Sequence, residues 1–340
     1  MSLLTLFSKP GNKSSDLPAD VRTGFMGKIP ARPDFVRHQA GAPEIKFMDQ
    51  WIHEGIAYLA RRFPSDWKER LGGFSPIYCY IGGEASSPTL CGVIRASQDK
   101  SGRQHPFVDF ATCSNAQMML SLPYISYRFS AYLAQCGKLK ETDGSDLDID
   151  KLMQQSNVLG SLIPPFSEAS FAQQRSESWV GKSSAEFWQN ILPGSNTGTR
   201  IHFARDVLQT LKMAANRGPE RIAWGVRLPI PAGPASDAVV SFWLSLFVSV
   251  LGNQKWRPHV FWNPHNTEAS SLTLYFRSPN ASSFAQLISP ESDEGGVVDV
   301  LRRPLENLPE ITSSRLKNLA ETDTLSWPEM LENWAKGGES

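Results

Sequence analysis

The sequence predicts an α/β protein of two layered domains, in which small, mainly antiparallel or mixed sheets are covered by long helices. Three observations support this prediction. The chain has 340 residues, more than the roughly 150 residues of a typical domain. Strand-like apolar runs alternate with amphipathic helical patterns along it. A polar, Asp-rich stretch at residues 137–150 separates two series of such elements and is predicted to be a linker.

The first domain is predicted over residues 21–136, after a flexible arm formed by residues 1–20. It opens with a strand over residues 23–29 and a Pro-bounded turn. A helix follows, because apolar residues recur every three or four positions: Ile45, Met48, Trp51, Ile52, Ile56, Leu59 and Phe63. Further strands are predicted at residues 77–81, 90–95 and 107–112, and a second helix at about 124–136.

The second domain is predicted over residues 151–300, and residues 301–340 are predicted to be a polar C-terminal tail. Its helices are expected near residues 201–215, 237–251 and 284–288, and its strands near 222–228, 259–262 and 272–277. Both domains share the order strand, Pro turn, helix, Trp, strand, loop and strand. This order fits an internal duplication, and it also fits two α/β domains that share it by chance, so both explanations stay open.

Composition and charge exclude several classes of protein. Lys+Arg and Asp+Glu each number 34, so the formal charge is zero. Nucleic-acid binding needs a basic surface that displaces counterions, and disordered chains have fewer apolar residues and a larger net charge. The 10 Trp and 18 Phe residues, with eight of the Trp in the second half, require a packed core or an interface. We therefore expect a folded protein whose partners are proteins rather than nucleic acids.

Neither export nor membrane insertion is predicted. Residues 1–7 are apolar but short, carry no leading positive charge and are followed by Lys9 and Pro10. The longest apolar run, at residues 238–251, is shorter than the roughly 20 residues of a spanning helix, so a buried core helix is expected. The four cysteines form no C-x-x-C pair. Reduced core thiols in a cytoplasmic protein fit these features.

No catalytic residues, metal site or cofactor are predicted. The six histidines form no H-E-x-x-H motif and no zinc-ligand spacing, although His259 and His265 flank a strand end and could approach each other. A G-x-S-x-G nucleophile motif is absent. The Gly-rich stretch at residues 194–198 follows no strand, which argues against a phosphate-binding loop there. The Asp residues at 146–150 lack the Gly and Glu of a calcium-binding loop.

Two motifs stand out. The first, G-F-M-G-K-I-P-A-R-P-D-F at residues 24–35, is not a P-loop, because Arg22 and Ile29 occupy positions that need Gly and Ser or Thr. Its glycines instead allow close strand packing. The second, S-Q-D-K-S-G-R-Q-H-P-F at residues 97–107, forms either a recognition loop or an internally bonded turn in which Asp99 and Arg103 pair.

These motifs, with the D-x-W at Asp49 and Trp51 and with Trp67, resemble the TagF family, also called ImpM. This family accompanies bacterial type VI secretion systems. The resemblance covers about residues 23–135 and departs from the family pattern at Pro33, where Gly is usual, and at Ala96, where Pro is usual. It implies an α/β fold and a cytoplasmic, non-enzymatic repressor. Such a repressor acts after translation on a forkhead-associated (Fha) scaffold protein, by a route separate from threonine phosphorylation.

We expect the loops after Ile29 and Arg95 to lie together and to form a partner-binding surface. The residues predicted to form it are Lys28, Arg32, Asp34, Phe35, Asp99 and Arg103. Two alternatives remain. One is a structural or assembly subunit of the secretion baseplate, and the other is a phosphate-ester hydrolase that uses Asp34, Asp99 and a metal ion. No oligomeric state follows from the sequence.

Overall fold

A single nine-stranded sheet organises the protein. The structure, a computed structural model, describes residues 17–18, 20–82, 88–113, 122–139, 149–252, 256–265, 270–290, 296–301 and 314–336. Its strands are β1 (Val21–Gly27), β2 (Val36–His38), β3 (Ile77–Ile81), β4 (Thr89–Arg95), β5 (Phe107–Cys113), β6 (Gly225–Pro229), β7 (His259–Asn263), β8 (Ser271–Tyr275) and β9 (Val297–Asp299). They are ordered β2-β1-β5-β4-β3-β7-β8-β6-β9. All neighbours are antiparallel except β6 and β9, which confirms the predicted α/β class.

The two halves of the chain share this sheet instead of having a small sheet each. They join where β3 pairs with β7, which sets Tyr78 opposite Trp262 and Tyr80 opposite Val260. All five residues of β3 are buried, as expected for a strand covered on both faces. The division into two domains stays a prediction. Residues 140–148 of the predicted linker and residues 1–16 of the predicted arm lie outside the described part of the chain.

Helices cover both faces of the sheet. Those in the described residues are α1 (Pro43–Arg62), α2 (Trp67–Gly73), α3 (Ile125–Arg128), α4 (Ser130–Lys138), α5 (Ile149–Gly160), α6 (Glu168–Trp179), α7 (Ser184–Ile191), α8 (Thr197–Arg217), α9 (Ser236–Leu251), α10 (Ala281–Ile288), α11 (Ser314–Glu321) and α12 (Trp327–Lys336). α1 and α10 cover one face, and α4, α8 and α9 belong to the layer on the other.

Close packing joins α1 to α10. α1 begins at Pro43, whose fixed φ suits the first turn. The indole Nε1 of Trp51 donates to the Asn280 carbonyl oxygen at 2.8 Å. A Cβ on Gly55 would lie 2.5 Å from the ring of Phe284, so the two helices approach this closely only because residue 55 is glycine.

A cluster of aromatic rings fills the core of the second half and contains five of its eight Trp residues. Neighbouring rings of the cluster have centroids 4.5 to 6.4 Å apart and belong to Trp179, Phe187, Trp188, Phe203, Phe242, Trp243, Trp327 and Trp334. Two of these rings come from the predicted tail. Within it, residues 314–336 form α11 and α12, because Trp327, Met330 and Trp334 recur on one helical face and are fully buried.

The long helices do not sit equivalently in the two halves. α1 follows the Pro turn after β1 and covers one face, whereas α9 follows the Pro turn after β6 and covers the other. β5 lies between β1 and β4, but β6 pairs directly with β8. This packing favours a shared order without internal duplication.

α9 occupies the core position that its sequence predicts. By length and composition, residues Gly233–Leu251 form the one membrane-span candidate among the described residues, and 61% of the candidate window is buried inside the protein. Phe242, Trp243 and Leu246 of α9 are fully buried. The four cysteines are buried and unpaired, which fits the predicted core thiols.

Candidate functional site

The two sequence motifs meet at one end of the sheet. Residue 27 ends β1, and β5 begins opposite it at residue 107. Gly27 has a φ of +134°, and a Cβ there would lie 2.3 Å from the Pro106 carbonyl oxygen. Lys100 N donates to the Arg32 carbonyl oxygen at 3.0 Å, and Ser97 Oγ donates to the Lys28 carbonyl oxygen. The predicted approach of the two loops is confirmed, and the glycines serve close packing as expected.

Asp99 is the centre of this arrangement. Its Oδ1 accepts from Ser101 N, Ser101 Oγ and Arg103 N at 2.7 to 2.9 Å. Its Oδ2 accepts from Lys28 Nζ at 2.9 Å and Arg103 Nε at 2.7 Å. Burial favours the neutral carboxyl, but the hydrogen bonds from Ser101, Lys28 and Arg103 outweigh it and hold the pKa of Asp99 well below its usual range. Asp99 is therefore an ionised anchor between the loops.

Arg103 crosses from the second loop to the first. Besides its bond to Asp99, its guanidinium donates to the Pro33 carbonyl oxygen at 2.8 Å. The side chain nevertheless stays 64% exposed. Pro33, which departs from the family pattern, thus takes part in the contact between the loops through its backbone. Arg103 is both fixed in place and accessible to a partner.

Phe35 presents an exposed ring beside these charges. The residue is 42% exposed. Lys28 Nζ lies 5.3 Å and the Arg37 guanidinium carbon 5.5 Å from the ring centroid. The ring of buried His105 packs edge-on against Phe35 at 4.7 Å, and burial lowers the pKa of His105, which favours its neutral form. An aromatic side chain is thus held in place by its neighbours while part of it faces solvent.

We call this region the Phe35 surface. It consists of the exposed residues Arg32, Asp34, Phe35, Arg37, Lys100 and Arg103, with the buried Lys28 and Asp99 directly beneath them. The six residues predicted from the sequence all lie in it or directly beneath it. Arg32 and Asp34 are exposed on the first loop, whereas Asp99 is buried. Sequence reasoning missed Arg37 and His105, because β2 has only three residues and shows no periodic pattern, and His105 stands alone in its loop.

The other candidate clusters have structural roles. His259 is buried in β7, while the exposed His265 places Nε2 2.9 Å from the Tyr78 hydroxyl oxygen. In the stretch at residues 194–198, Asn196 caps α8, and its Oδ1 accepts from Thr199 N at 2.9 Å. Within the described ranges, no group of three or more His, Cys, Asp or Glu side chains could hold a metal ion.

A protein-family model matches part of the chain. Residues 24–157 match the model of the TagF N-terminal domain, described as type VI secretion system-associated. The matched range extends through most of α5, which packs against β1. No curated protein matches the chain. Among solved structures, the crystal structure of PA0076 from Pseudomonas aeruginosa PAO1 is 15% identical, with a TM-score of 0.41 over 80% of this chain and 96% of that chain.

Proposed function

Because residues 24–157 make this chain a member of the TagF family and a type VI secretion-associated protein, we propose that it is a cytoplasmic, non-enzymatic regulator of that system. In this proposal it represses assembly after translation by binding an Fha-type scaffold protein through the Phe35 surface. The observation that carries the binding role is the exposed ring of Phe35, which lies between Lys28, bound by Asp99, and Arg37, bound by Asp49.

The make-up of the Phe35 surface favours a protein partner with an acidic contact region. Interface anchors are commonly aromatic and arginine side chains placed in rigid surroundings. Arg32, Arg37, Lys100 and Arg103 are exposed and basic, and Lys28 lies beneath them. Against these five stand three carboxylates, namely the exposed Asp34, Asp49 paired with Arg37 at 2.6 Å, and the buried Asp99, which leaves an excess of two positive charges. Since the whole chain has no net charge, this local excess would select and steer an acidic surface.

The surroundings of Asp99 argue against the hydrolase alternative. Both carboxylate oxygens are already taken by five hydrogen-bond donors, and the side chain has no exposed surface. A catalytic carboxylate must reach substrate, a water molecule or a metal ion. Asp34 is exposed on the other loop, but a reacting group bound there could not reach the enclosed Asp99 carboxylate.

Binding of the purified chain to a purified Fha protein tests the proposal. We expect Phe35→Ala and Arg103→Ala each to weaken binding by about tenfold or more, the order found for interface anchors. Val180→Ala is the matched control, because Val180 is a 74% exposed apolar residue just after α6, in the connection to α7. Equal affinities of the Phe35 and Val180 variants would contradict the site, and absence of binding by the unmodified chain would contradict the partner.

Secretion measured in cells tests the direction of regulation. Deletion of the gene should raise secretion if the protein is a repressor. If it is instead a baseplate subunit, deletion should abolish secretion, and the protein should co-purify in fixed ratio with baseplate proteins from actively secreting cells. If the protein is a repressor, expression of the Phe35→Ala variant in the deletion strain should fail to restore repression, whereas expression of the Val180→Ala variant should restore it.

A further inference from the structure

A groove in the second half of the chain offers a binding surface separate from the Phe35 surface. It lies between α6, the end of α9 and α12, is open to solvent along one side, and has a volume of about 400 Å³. Trp179, Leu331 and Ala335 give it an apolar lining, and Arg175, Glu332 and Lys336 bring charge to it.

Arg175 is the group in this groove whose charge is not balanced. Its guanidinium lies over the rings of Tyr124 at 4.9 Å and Trp179 at 5.1 Å. It donates to Ser245 Oγ at 3.2 Å. Within the described part of the chain, no carboxylate lies within ion-pair distance of it, and the groove's own Glu332 pairs with Lys336. The guanidinium is therefore oriented by two rings and one hydroxyl and keeps donors for another acceptor.

Most other buried or half-buried arginines are neutralised. Six of them contact an aspartate: Arg70 with Asp66, Arg95 with Asp109, Arg128 with Asp20, Arg200 with Asp323, Arg205 with Asp206, and Arg227 with Asp299. Taking a guanidinium partly out of water costs free energy unless an opposite charge compensates. At Arg175 that compensation is missing within the described residues, so a bound carboxylate would supply it.

From this geometry we propose that the groove binds an acidic, amphipathic segment of a partner protein. One carboxylate of the segment would bind the Arg175 guanidinium, where two parallel hydrogen bonds are possible. A neighbouring apolar side chain would pack on Trp179, Leu331 and Ala335. The two walls α6 and α12 are helices, and an amphipathic helix laid in a groove between helices is a recurrent form of peptide recognition. The second half would then have its own partner contact, independent of Fha binding.

A labelled helical peptide of Glu, Leu and Ala is the probe, and fluorescence anisotropy with the full chain is the measurement. We expect binding that weakens with added salt and is lost when the Glu residues of the peptide are replaced by Lys. Arg175→Gln should lower the affinity by about tenfold, the order expected for one charge-assisted pair. Arg200→Gln is the matched control, because Arg200 also lies over a Trp ring but already pairs with Asp323.

A second variant separates loss of binding from loss of folding. Ser249→Phe places a large side chain in the groove from an exposed position on α9, a different helix from that of Arg175, and it should also abolish peptide binding while the thermal unfolding midpoint changes little. Equal affinities of the Arg175 and Arg200 variants would overturn the proposal. So would equal binding of the Glu and Lys peptides, or binding of a small aromatic carboxylate such as phenylbutyrate without binding of the peptide.

Discussion

Gly27→Ala tests whether the close approach of the two loops supports the Phe35 surface. Gly27 has a φ of +134°, and a Cβ there would lie 2.3 Å from the Pro106 carbonyl oxygen and 2.7 Å from Phe107 Cα. For any residue other than glycine, adopting this backbone conformation costs about 1–3 kcal/mol of folding free energy. Because the obstacles are backbone atoms, β1 and β5 must also separate, at roughly 1 kcal/mol for each hydrogen bond lost. With two such bonds lost, the free energy of unfolding should fall by about 4 kcal/mol.

Gly102→Ala is the matched control for this change. Gly102 lies in the same pair of loops and has a φ of +79°, but nothing lies within 4 Å of a Cβ placed there. Only the left-handed backbone then opposes the substitution, at about 1–2 kcal/mol. Urea unfolding followed by circular dichroism measures both variants, and their binding to Fha is compared under conditions where both are folded. Equal losses of stability and of binding would refute the argument that the contact of Gly27 with residues 106–107 holds the surface.

Two further predictions concern the second half. Burial raises the pKa of Asp237 from 3.8 to about 6, which the hydrogen bond from Ser130 only partly offsets. Since the folded state then holds the proton more tightly than the unfolded chain, stability from this group is present below about pH 4 and is lost as the pH rises through about 6. Asp237→Asn should therefore flatten the decrease in unfolding temperature over this pH range, whereas the exposed Asp34→Asn should leave the decrease in place. Trp334→Ala should lower the free energy of unfolding by about 3–5 kcal/mol, because a fully buried ring is removed, and Trp67→Ala, at a half-buried position, should cost clearly less in the same urea titration.

Local patterns predicted the longest helices, α1, α8 and α9, and the strands β3 to β5, but they gave no bounds for α5, α6 and α7. α1 was predictable because its apolar residues keep helical spacing over twenty residues, and β3, β4 and β5 because each is a compact apolar run. β2 and β9 have three residues each, too few for any periodicity. They form because β1 and β6 offer them backbone partners, a contact between distant parts of the chain.

The predicted tail shows a different limit. The apolar residues of α12 have helical spacing, but they stand among polar neighbours, and their burial depends on rings from α7, α8 and α9. Neither helix propensity nor composition predicts which rings from other helices will cover these residues. The shared sheet was missed for a similar reason, because the pairing of β3 with β7 joins residues about 180 positions apart.

For the candidate site, the motifs named the right residues but not all of their roles. Asp99 and Arg103 pair within the loop, as a four-residue spacing allows, and Arg103 remains exposed. The loop is therefore an internally bonded turn that also presents a side chain to solvent, as a recognition loop would. The bond between Lys28 and Asp99 spans 71 positions and could not be read from either motif alone. His105 was not singled out, because an isolated histidine in a loop carries no pattern.

The pairing of β3 with β7 has a consequence for the newly made chain. While the ribosome is still synthesising the second half, β3 already has β4 on one side, but its other side stays open until His259–Asn263 has emerged. An open strand of this apolar kind can pair with a neighbouring nascent chain. Residues 24–157 expressed by themselves would keep that side open permanently, so they should aggregate or need a chaperone where the full chain does not. The second half thus supplies the strand that covers the open side of β3.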